Sequence, residues 1–421
     1  ALAQADGPRP TSEDDARRAR ELREQVDAAL QQARPALLAH LKAAANESTR
    51  VGELALLCLA ALHDGVPSDD ELLARALDRL MRGKPDQTYD IALRLCVLEA
   101  CPRDPERLEL AKSDAKTLLH HRSRAGGFQY TRSPSTWDLS ATQYGTLGLR
   151  AAASMGCDID RSVWRRLGQL VLDQQCNDGS FGYGPLRARG GYASMTAAGI
   201  AVLAICRERL GDAANGTGLD RGIERGWHWF AANPDCIGSE RETWSYYFHY
   251  GLERAAILCD VEQIDGGVDW YQRGARMLID AQLAGGGWQS TSDGYPGGHL
   301  SQKRGSAVPT AFAVLFLRRK FQKVPTGPIT PHIVTIAAVG PKSKQADVDA
   351  CAAELVRRGH EAASDIVKGL RSDVEPRRRA AAAALQGIAG DTFGFDPALE
   401  LDANRTALHR AELWFLRNRP R

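Results

Sequence analysis

The segment WDLSATQYGTLGLR, which runs from Trp137 to Arg150, decides the fold of this chain. It is apolar on nearly every side, and its polar groups gather at its beginning. Asp138 suits an N-cap position, because a carboxylate accepts hydrogen bonds from the free N–H groups that open a helix. A loop with two glycines before an aromatic residue, GGFQY at residues 126–130, precedes the segment. The pattern predicts a buried helix that is entered through a tight loop.

The same unit of a loop and an apolar helix recurs along most of the chain. Amphipathic helices alternate with the apolar ones, as in residues 71–81, where the apolar side chains form one stripe. An apolar helix must be covered on several sides, whereas an amphipathic helix covers it from one side. A repeat of roughly forty to sixty residues predicts about six helix pairs, which close into a ring of inner and outer helices or stack into an open solenoid. The apolar helices are expected to begin near Val51, Tyr89, Asp138, Ser194, Thr243 and Val308.

Three loops between an outer helix and the next inner helix carry glycine before an aromatic residue. They lie at residues 126–130, 174–183 and 282–289. Glycine permits the tight turn, and the aromatic ring packs over the helix ends. Because the pattern repeats by position, we interpret these loops as structural anchors.

Two of these loops resemble a known sequence repeat. Residues 174–181 and 282–288 are similar to the Gln-Trp repeats of squalene and oxidosqualene cyclases, which belong with protein prenyltransferases to the α/α-toroid superfamily. The resemblance covers residues 51–321. It implies an all-α fold, an (α/α)6 toroid of the terpenoid cyclase and prenyltransferase type with a ligand cavity at its centre. A toroid carries unrelated functions in different proteins, so the fold alone implies no reaction.

The chain is expected to contain two helical domains and a linker. The toroid is expected to occupy residues 13–321, after a processed or flexible N-terminal segment of residues 1–12. Pro35 is expected to divide the first long helix, because proline lacks the N–H that a helix interior requires. Prolines punctuate residues 322–345, which we interpret as a linker. In residues 346–421 the segment DVEPRRRA and the alanines after it resemble a HEAT repeat, which implies a small helical domain that caps the toroid or binds a protein partner.

Composition and the first residues limit the class of protein. The chain has 54 basic and 52 acidic residues, and this balance leaves no basic field for nucleic acid or an anionic membrane. No apolar run reaches the roughly 18 to 20 residues that a membrane-spanning helix needs. The first residues, ALAQADGP, match the small-residue tail of a cleaved secretory signal. We therefore expect an exported bacterial protein, periplasmic or extracellular, with an arbitrary chain boundary as the alternative.

The nine cysteines suggest one disulfide and no metal site. Cys101 and Cys157 are expected near the same rim, at the ends of adjacent inner helices, and an exported protein could join them. Protein prenyltransferases hold zinc with an Asp-x-Cys pair and a distant histidine, and no set with this spacing occurs here. We therefore expect no metal and no cofactor.

The resemblance to cyclases also raises the question of a catalytic acid. A class II triterpene cyclase protonates its substrate with an Asp-x-Asp-Asp motif. When this motif is laid on the segment DLSA, Asp138 matches the first acid, but Ser140 stands at the central acid and Ala141 at the last. A serine hydroxyl does not protonate an alkene, so the sequence argues against this chemistry.

The inner helices of a toroid begin at one mouth of the cavity, and residues at these positions form the candidate site. Asp138 and His249 are the candidates for an acid and a base, with the alternative that Asp138 is only a helix cap. The aromatic run at residues 244–250 either lines a ligand cavity or fills the barrel axis. The candidate ligand-binding residues are Tyr130, Trp137, Gln143, Tyr183, Tyr192, Trp244, Tyr246, Tyr247, Tyr250, Trp288 and His299.

Three functions follow from these features, in order of preference. The missing cyclase acids, the missing zinc set and the repeat-like tail favour a non-catalytic binding or scaffold protein. Such a protein would hold an apolar or glycan ligand in the toroid and a protein partner on the tail. The second function is an enzyme with an acid–base site in the aromatic mouth, such as a carbohydrate lyase or hydrolase. The third is a divergent terpenoid cyclase.

Overall fold

The computed structural model of this chain describes residues 12–46, 49–102, 104–184, 190–239, 244–290, 307–319, 339, 343, 345–358 and 362–418. Regular structure in these ranges is helical, apart from isolated β-bridge residues such as the pair Ile264 and Val268. The chain divides into two compact units, Ala1–Val324 and Pro325–Arg421.

The first unit contains twelve α-helices within the described ranges. They are α1 (Ser12–Asn46), α2 (Val51–His63), α3 (Glu71–Arg82), α4 (Thr88–Ala100), α5 (Pro105–His121), α6 (Leu139–Ser154), α7 (Arg161–Leu172), α8 (Ala193–Leu210), α9 (Leu219–Ala232), α10 (Ser245–Cys259), α11 (Trp270–Asp280) and α12 (Ala307–Arg318).

The even-numbered helices form a closed inner ring. Each of them packs against the next even-numbered helix, and α12 packs against α2. They are buried on nearly all sides, and in α6 every residue from Leu139 to Ala152 is buried. The closed ring excludes the open solenoid and confirms the predicted all-α (α/α)6 toroid.

The odd-numbered helices cover this ring from outside. Each packs against at least one inner helix, and α1 packs against both α2 and α12 as well as against the outer helices α3 and α11. The outer helices are amphipathic: α3 buries one stripe, formed by Leu73, Ala76, Leu77 and Leu80. The first helix of the chain therefore closes the outer layer between the last and the first inner helix.

Helix α1 runs without interruption through Pro35, so the expectation that proline divides it was wrong. The buried stripe of α1 continues on both sides of the proline, where Leu30, Ala33, Leu37 and Leu41 are each at most 2% exposed. Packing against the inner ring thus holds the helix together where proline removes one backbone hydrogen bond.

The three glycine-aromatic loops join outer to inner helices in the same way. In each loop the aromatic ring is fully buried, and its backbone N–H donates to a threonine Oγ1 in the following inner helix, at 3.0 to 3.2 Å. Two of the rings also pack directly on a glycine of the following inner helix. A Cβ at Gly145 would lie 2.5 Å from the Phe128 ring, and a Cβ at Gly199 would lie 2.5 Å from the Phe181 ring. These loops are structural anchors, as their repeated position predicts. The pairs are Phe128 with Thr142, Phe181 with Thr196, and Trp288 with Thr310.

The second unit has its own helices and its own apolar core. Its core includes Cys351, Leu355, Ile366 and Leu385. Helix α15 packs against α13 and α14, and α14 packs against α16. The HEAT-like character of this unit stays a prediction, and most of the predicted linker and the first eleven residues lie outside the described ranges. The helices are α13 (Gln345–Arg358), α14 (Ala363–Leu370), α15 (Glu375–Ala389) and α16 (Arg405–Arg417).

The described helices of both units are too short or too polar to span a membrane. No helix there is both long and apolar enough to cross a bilayer.

Candidate functional site

Asp138 lies at the start of α6 as its N-cap residue. One carboxylate oxygen, Oδ1, accepts a hydrogen bond from the backbone N–H of Ala141 at 2.7 Å. The side chain is buried, with 2% of the residue exposed, and Oδ2 has no hydrogen-bond partner among the described residues. Burial raises the pKa of Asp138 to about 6, although hydrogen bonds from the backbone of Ala141 and Ser140 act in the opposite direction. One carboxylate oxygen is therefore capped, and the other is buried without a partner among the described groups.

Four tyrosines lie around this carboxylate. Burial is the largest cause of the raised pKa of each phenol, and the nearby charge of Asp138 raises each pKa further. Two of the rings are open to solvent, Tyr183 with 42% and Tyr192 with 44% of the residue exposed. The mouth of the toroid therefore combines a buried acid with exposed aromatic faces. The tyrosines, called the mouth tyrosines below, are Tyr89 on α4, Tyr130 and Tyr183 in the anchoring loops, and Tyr192 at the N-cap of α8.

Three of the mouth tyrosines, Tyr183, Tyr130 and Tyr89, are joined through their hydroxyl groups. Tyr183 Oη donates a hydrogen bond to Tyr130 Oη at 2.9 Å. The Tyr130 ring stacks on the Tyr89 ring with 5.3 Å between centroids, and a hydrogen bond with Tyr89 lowers the pKa of the Tyr130 phenol against the effect of burial. A polar path thus leads from the exposed rim to the first turn of α4.

The path continues into the barrel. Tyr89 Oη lies 2.5 Å from Ser140 Oγ, which lies 2.7 Å from Tyr247 Oη. Tyr247 Oη donates to Gln143 Oε1 at 3.1 Å. The hydroxyl groups therefore form a chain, called the hydroxyl chain below, that runs from Tyr183 at the rim to Gln143 in the core.

Aromatic rings fill the barrel axis below the mouth. Tyr144 on α6 stacks against Tyr247 on α10 with 6.1 Å between centroids, across the position of α8 in the ring. Phe312 on α12 contacts Tyr247 and Tyr250 at 6.1 and 5.5 Å. All four rings are at most 5% exposed. The sequence left open whether the aromatic run lines a ligand cavity or fills the barrel axis. The rings of Tyr247 and Tyr250 fill the axis.

His249 lies away from Asp138, between the inner and outer rings. Its Nε2 accepts a hydrogen bond from the backbone N–H of Gly238 at 2.9 Å, and its Nδ1 donates to the backbone carbonyl of Ser245 at 2.7 Å. The ring packs edge-on against Phe316 and lies beside Gly274 of α11. Burial lowers the pKa of His249 to about 4, against the hydrogen bond to Ser245. The imidazole is neutral and fixed to the backbone, so the structure does not bring the predicted acid and base together.

Several other predicted ligand-binding residues expose little or only part of their surface. Trp288 is fully buried, and its Nε1 donates to the carbonyl of Leu278 at 2.7 Å. Trp137 and Tyr246 are 8% and 7% exposed. Trp244 is the N-cap residue of α10 with a left-handed backbone at φ 63°. His299 lies outside the described residues.

Two residues of the hydroxyl chain, Tyr89 and Ser140, were missed by the sequence analysis. A signal for them existed, because each is the second residue of its inner helix. The shared register places both side chains at the same level of the ring.

Cys101 and Cys157 are both free thiols in the structure, so the predicted disulfide between them is not formed. Cys101 lies close enough to Cys58 of α2 for the two thiols to affect each other, whereas Cys157 lies near Lys112 of α5. The two thiols thus have different surroundings. In the part of the chain that the structure describes, no three or more His, Cys, Asp or Glu side chains are grouped to hold a metal ion.

Comparisons with known proteins return structural similarity only. No protein-family model matches the sequence, and no curated protein matches it. One similar solved structure is a possible member of the GH105 family from Salmonella enterica subsp. enterica serovar Paratyphi A, with a TM-score of 0.47 and 15% identity over 70% of this chain and 93% of that chain. Another is a type II terpene cyclase from Scytonema in complex with geranylgeranyl dihydroxybenzoate, with a TM-score of 0.43 and 14% identity over 71% of this chain and 98% of that chain. Because both TM-scores are below 0.5, the toroid assignment rests on the closed ring of contacts between the inner helices and not on these similarities.

Proposed function

We propose that this toroid is a non-catalytic binding protein that takes a glycan at the mouth formed by the first turns of its inner helices. The observation that carries the proposal is the buried Oδ2 of Asp138, which has no hydrogen-bond partner in the described part of the chain. A buried acceptor without a partner costs about 1–3 kcal/mol, and a hydroxyl group of a ligand would recover this cost.

The surroundings of Asp138 favour a glycan over an apolar ligand. Tyr183 and Tyr192 expose their rings beside the carboxylate, and such rings stack on the apolar faces of sugars. The phenol groups of Tyr130 and Tyr183 supply further hydrogen bonds at the rim. An isoprenoid would instead require a deep apolar cavity, and rings occupy the axis where it would lie.

Within the described ranges, the mouth contains one carboxylate, whereas glycoside hydrolysis commonly requires two. Among the described acidic residues, Asp138 alone contributes to the raised pKa of the phenols of Tyr130, Tyr183 and Tyr192. His249, the other proposed acid–base group, is held by the backbone between the two helix layers. This arrangement supports binding without turnover.

The test is a glycan array followed by calorimetry with the best ligand, on the wild type and on Asp138→Asn. Asparagine caps helices as well as aspartate, so the fold is kept while the carboxylate is lost. We expect affinity to fall at least tenfold at pH 7. Asp160→Asn, at the exposed N-cap of α7, is the matched control and should bind like the wild type. Equal affinity of Asp138→Asn and the wild type would refute the proposed site.

A second function, an enzyme that uses Asp138 as a general acid, is favoured by the pKa of about 6 at this carboxyl group. A group with this pKa is partly protonated near neutral pH, which suits proton donation. Incubation with the bound glycan, followed by mass spectrometry of the products, separates the two functions. Cleavage that declines above about pH 6 and is absent in Asp138→Asn would establish the enzyme; an unchanged glycan supports the binding protein.

A further inference from the structure

The starts of α2 and α4 enclose an open cleft of about 520 Å³. Pockets that hold small molecules in proteins occupy roughly 300–1,000 Å³, so this cleft has room for one. It is distinct from the space around Asp138, whose side chain does not line it. Four charged residues line the cleft: Arg50 directly before α2, Lys84 and Asp86 in the loop before α4, and Asp90 in the first turn of α4.

The cleft adjoins the mouth of the toroid along the start of α4. The backbone N–H of Thr88 donates to the carbonyl of Tyr130 at 2.9 Å, and Thr88 Oγ1 donates to the carbonyl of Gln129 at 2.6 Å. Gln87, the residue before Thr88, lines the cleft, and Tyr130 is one of the mouth tyrosines. Two hydrogen bonds thus tie the edge of the cleft to the rim of the mouth, so the two spaces share a border.

The cleft has opposite charges both at its back and at its entrance. At the back, Arg50 Nη2 lies 3.9 Å from Asp90 Oδ2, and the two side chains are 24% and 5% exposed. At the entrance, Lys84 and Asp86 are exposed. The lining also contains the amide of Gln87, which does not cap α4. The cleft therefore offers both donors and acceptors and carries no net charge.

This balance of charges selects the kind of ligand. The carboxylates of Asp86 and Asp90 would repel an anion, and Arg50 and Lys84 would repel a cation. A sugar hydroxyl group both donates and accepts hydrogen bonds, so neighbouring hydroxyls on a sugar match a carboxylate that lies beside a cation. Hydrogen bonds to charged groups are also stronger than those between neutral groups. The cleft therefore fits a neutral sugar better than a charged one.

We infer that the cleft is a second sugar subsite, which takes a neutral sugar of the same glycan chain that occupies the mouth at Asp138. This inference rests on the proposed function, because one glycan fills both sites. The protein then recognises an oligosaccharide and not a single sugar. Aromatic rings hold the chain at the mouth, and charged side chains hold it between α2 and α4.

The test compares glycans of different length. An array of neutral oligosaccharides of glucose, mannose, galactose and xylose, each printed as the di-, tri- and tetrasaccharide, identifies the series that binds, and calorimetry then measures its affinities. We expect the tetrasaccharide to bind about tenfold more tightly than the disaccharide, because the longer chain adds hydrogen bonds to charged groups.

The outcomes distinguish this inference from the proposed function. Equal affinity of the disaccharide and the tetrasaccharide would overturn the inference, while the proposed function stands if Asp138→Asn still weakens the disaccharide. Binding confined to charged glycans would also overturn the inference alone. If no glycan of any kind binds, the proposed function fails and the inference fails with it.

A double variant makes the test local to the cleft. Lys84→Ala combined with Asp86→Ala removes both charges at the entrance, and this variant should melt like the wild type because both residues are exposed. It should bind the disaccharide like the wild type and the tetrasaccharide no more than about twofold more tightly. Glu109→Ala combined with Lys112→Ala removes an exposed pair of opposite charges on α5 and is the matched control, which should keep the tenfold gain. A gain in the cleft variant equal to that of the control would contradict the inference.

Discussion

At the scale of single residues, Asp138 and His249 respond to acid in opposite directions. The pKa of Asp138 is raised to about 6 in the folded state, so its folded form holds a proton more tightly than its unfolded form. Its contribution to stability therefore declines as pH rises from about 4 to about 6. The pKa of His249 is lowered to about 4, so its contribution is lost as pH falls from about 6.5 to about 4. The two effects oppose each other in the wild type over most of this range.

A pH series on Asp138→Asn isolates the carboxyl group. A rise from 3.8 to about 6 corresponds to about 3 kcal/mol in total, of which about 2.4 kcal/mol falls between pH 4 and pH 7. The wild type loses this stability over that range, and the asparagine variant does not. The free energy of unfolding of Asp138→Asn, relative to that of the wild type, should therefore increase by about this amount over the range. Urea denaturation at each pH measures it. A constant difference between the two proteins from pH 4 to pH 7 would show that the carboxyl is not perturbed.

A substitution of His249 separates a structural from a catalytic histidine. His249→Ala removes the acceptor for the Gly238 N–H and leaves a cavity, so we expect a loss of about 3 kcal/mol in stability. Glycan affinity at the mouth should stay within about twofold of the wild type, because the imidazole lies beside Gly274 of the outer helix α11. His228→Ala, at an exposed position on α9, should change neither property. Loss of glycan binding in His249→Ala with an unchanged melting temperature would favour an acid–base role.

Whether a candidate side chain faces the axis or the outer ring depends on helix register, and this limited what the sequence predicted about the site. Asp138 was recognisable as a cap because it precedes an apolar helix directly. The aromatic run around His249 did not show where its helix begins. Helix α10 starts after Trp244, which has a left-handed backbone conformation that the sequence periodicity does not reveal. The hydroxyl chain could not be predicted either, because its hydrogen bonds join residues 51 and 107 positions apart.

At the scale of secondary-structure elements, the alternation of apolar and amphipathic helices carried most of the information. The apolar pattern identified α6 and its neighbours, because a helix without a polar face must be surrounded by others. Pro35 misled the prediction, since local propensity argues for a break and the packed stripe of α1 overrides it. Sequence repetition identified the anchoring loops, but their threonine partners became evident only in the structure.

The anchoring loops lead to a prediction about one hydroxyl group. Thr142→Val keeps the shape of the side chain and removes the acceptor of the buried Phe128 N–H, so we expect a loss of about 2 kcal/mol. Thr117→Val is the control, because the Thr117 hydroxyl is exposed on α5 and donates only to its own helix. Urea denaturation monitored by tryptophan fluorescence compares the two variants. Equal stability of both would show that the loop does not depend on this hydrogen bond.

At the scale of the whole molecule, closure of the toroid depends on contacts between residues far apart in sequence. Asp64, directly after α2, is 3% exposed and accepts hydrogen bonds from Arg34 on α1 and Arg318 on α12. The Arg318 Nη2 and Arg34 Nε atoms each lie 2.6 Å from its carboxylate oxygens. One carboxylate therefore joins the first helix of the toroid, the first inner helix and the last inner helix. No local pattern predicts a contact over 254 positions.

Replacement of this carboxylate tests whether ring closure contributes to the stability of the toroid. Asp64→Ala leaves two guanidinium groups without their shared partner at the junction, and we expect a loss of about 3 kcal/mol, somewhat reduced because both arginines are partly exposed. Asp78→Ala breaks the exposed pair of Asp78 with Arg82 within α3 and should cost less than about 0.5 kcal/mol. Hydrogen exchange should then show faster opening of α1 and α12 than of α6 in Asp64→Ala, because the ring separates first at its junction. Uniform acceleration of exchange in all inner helices would show instead that the toroid unfolds as one unit and that the junction has no special role.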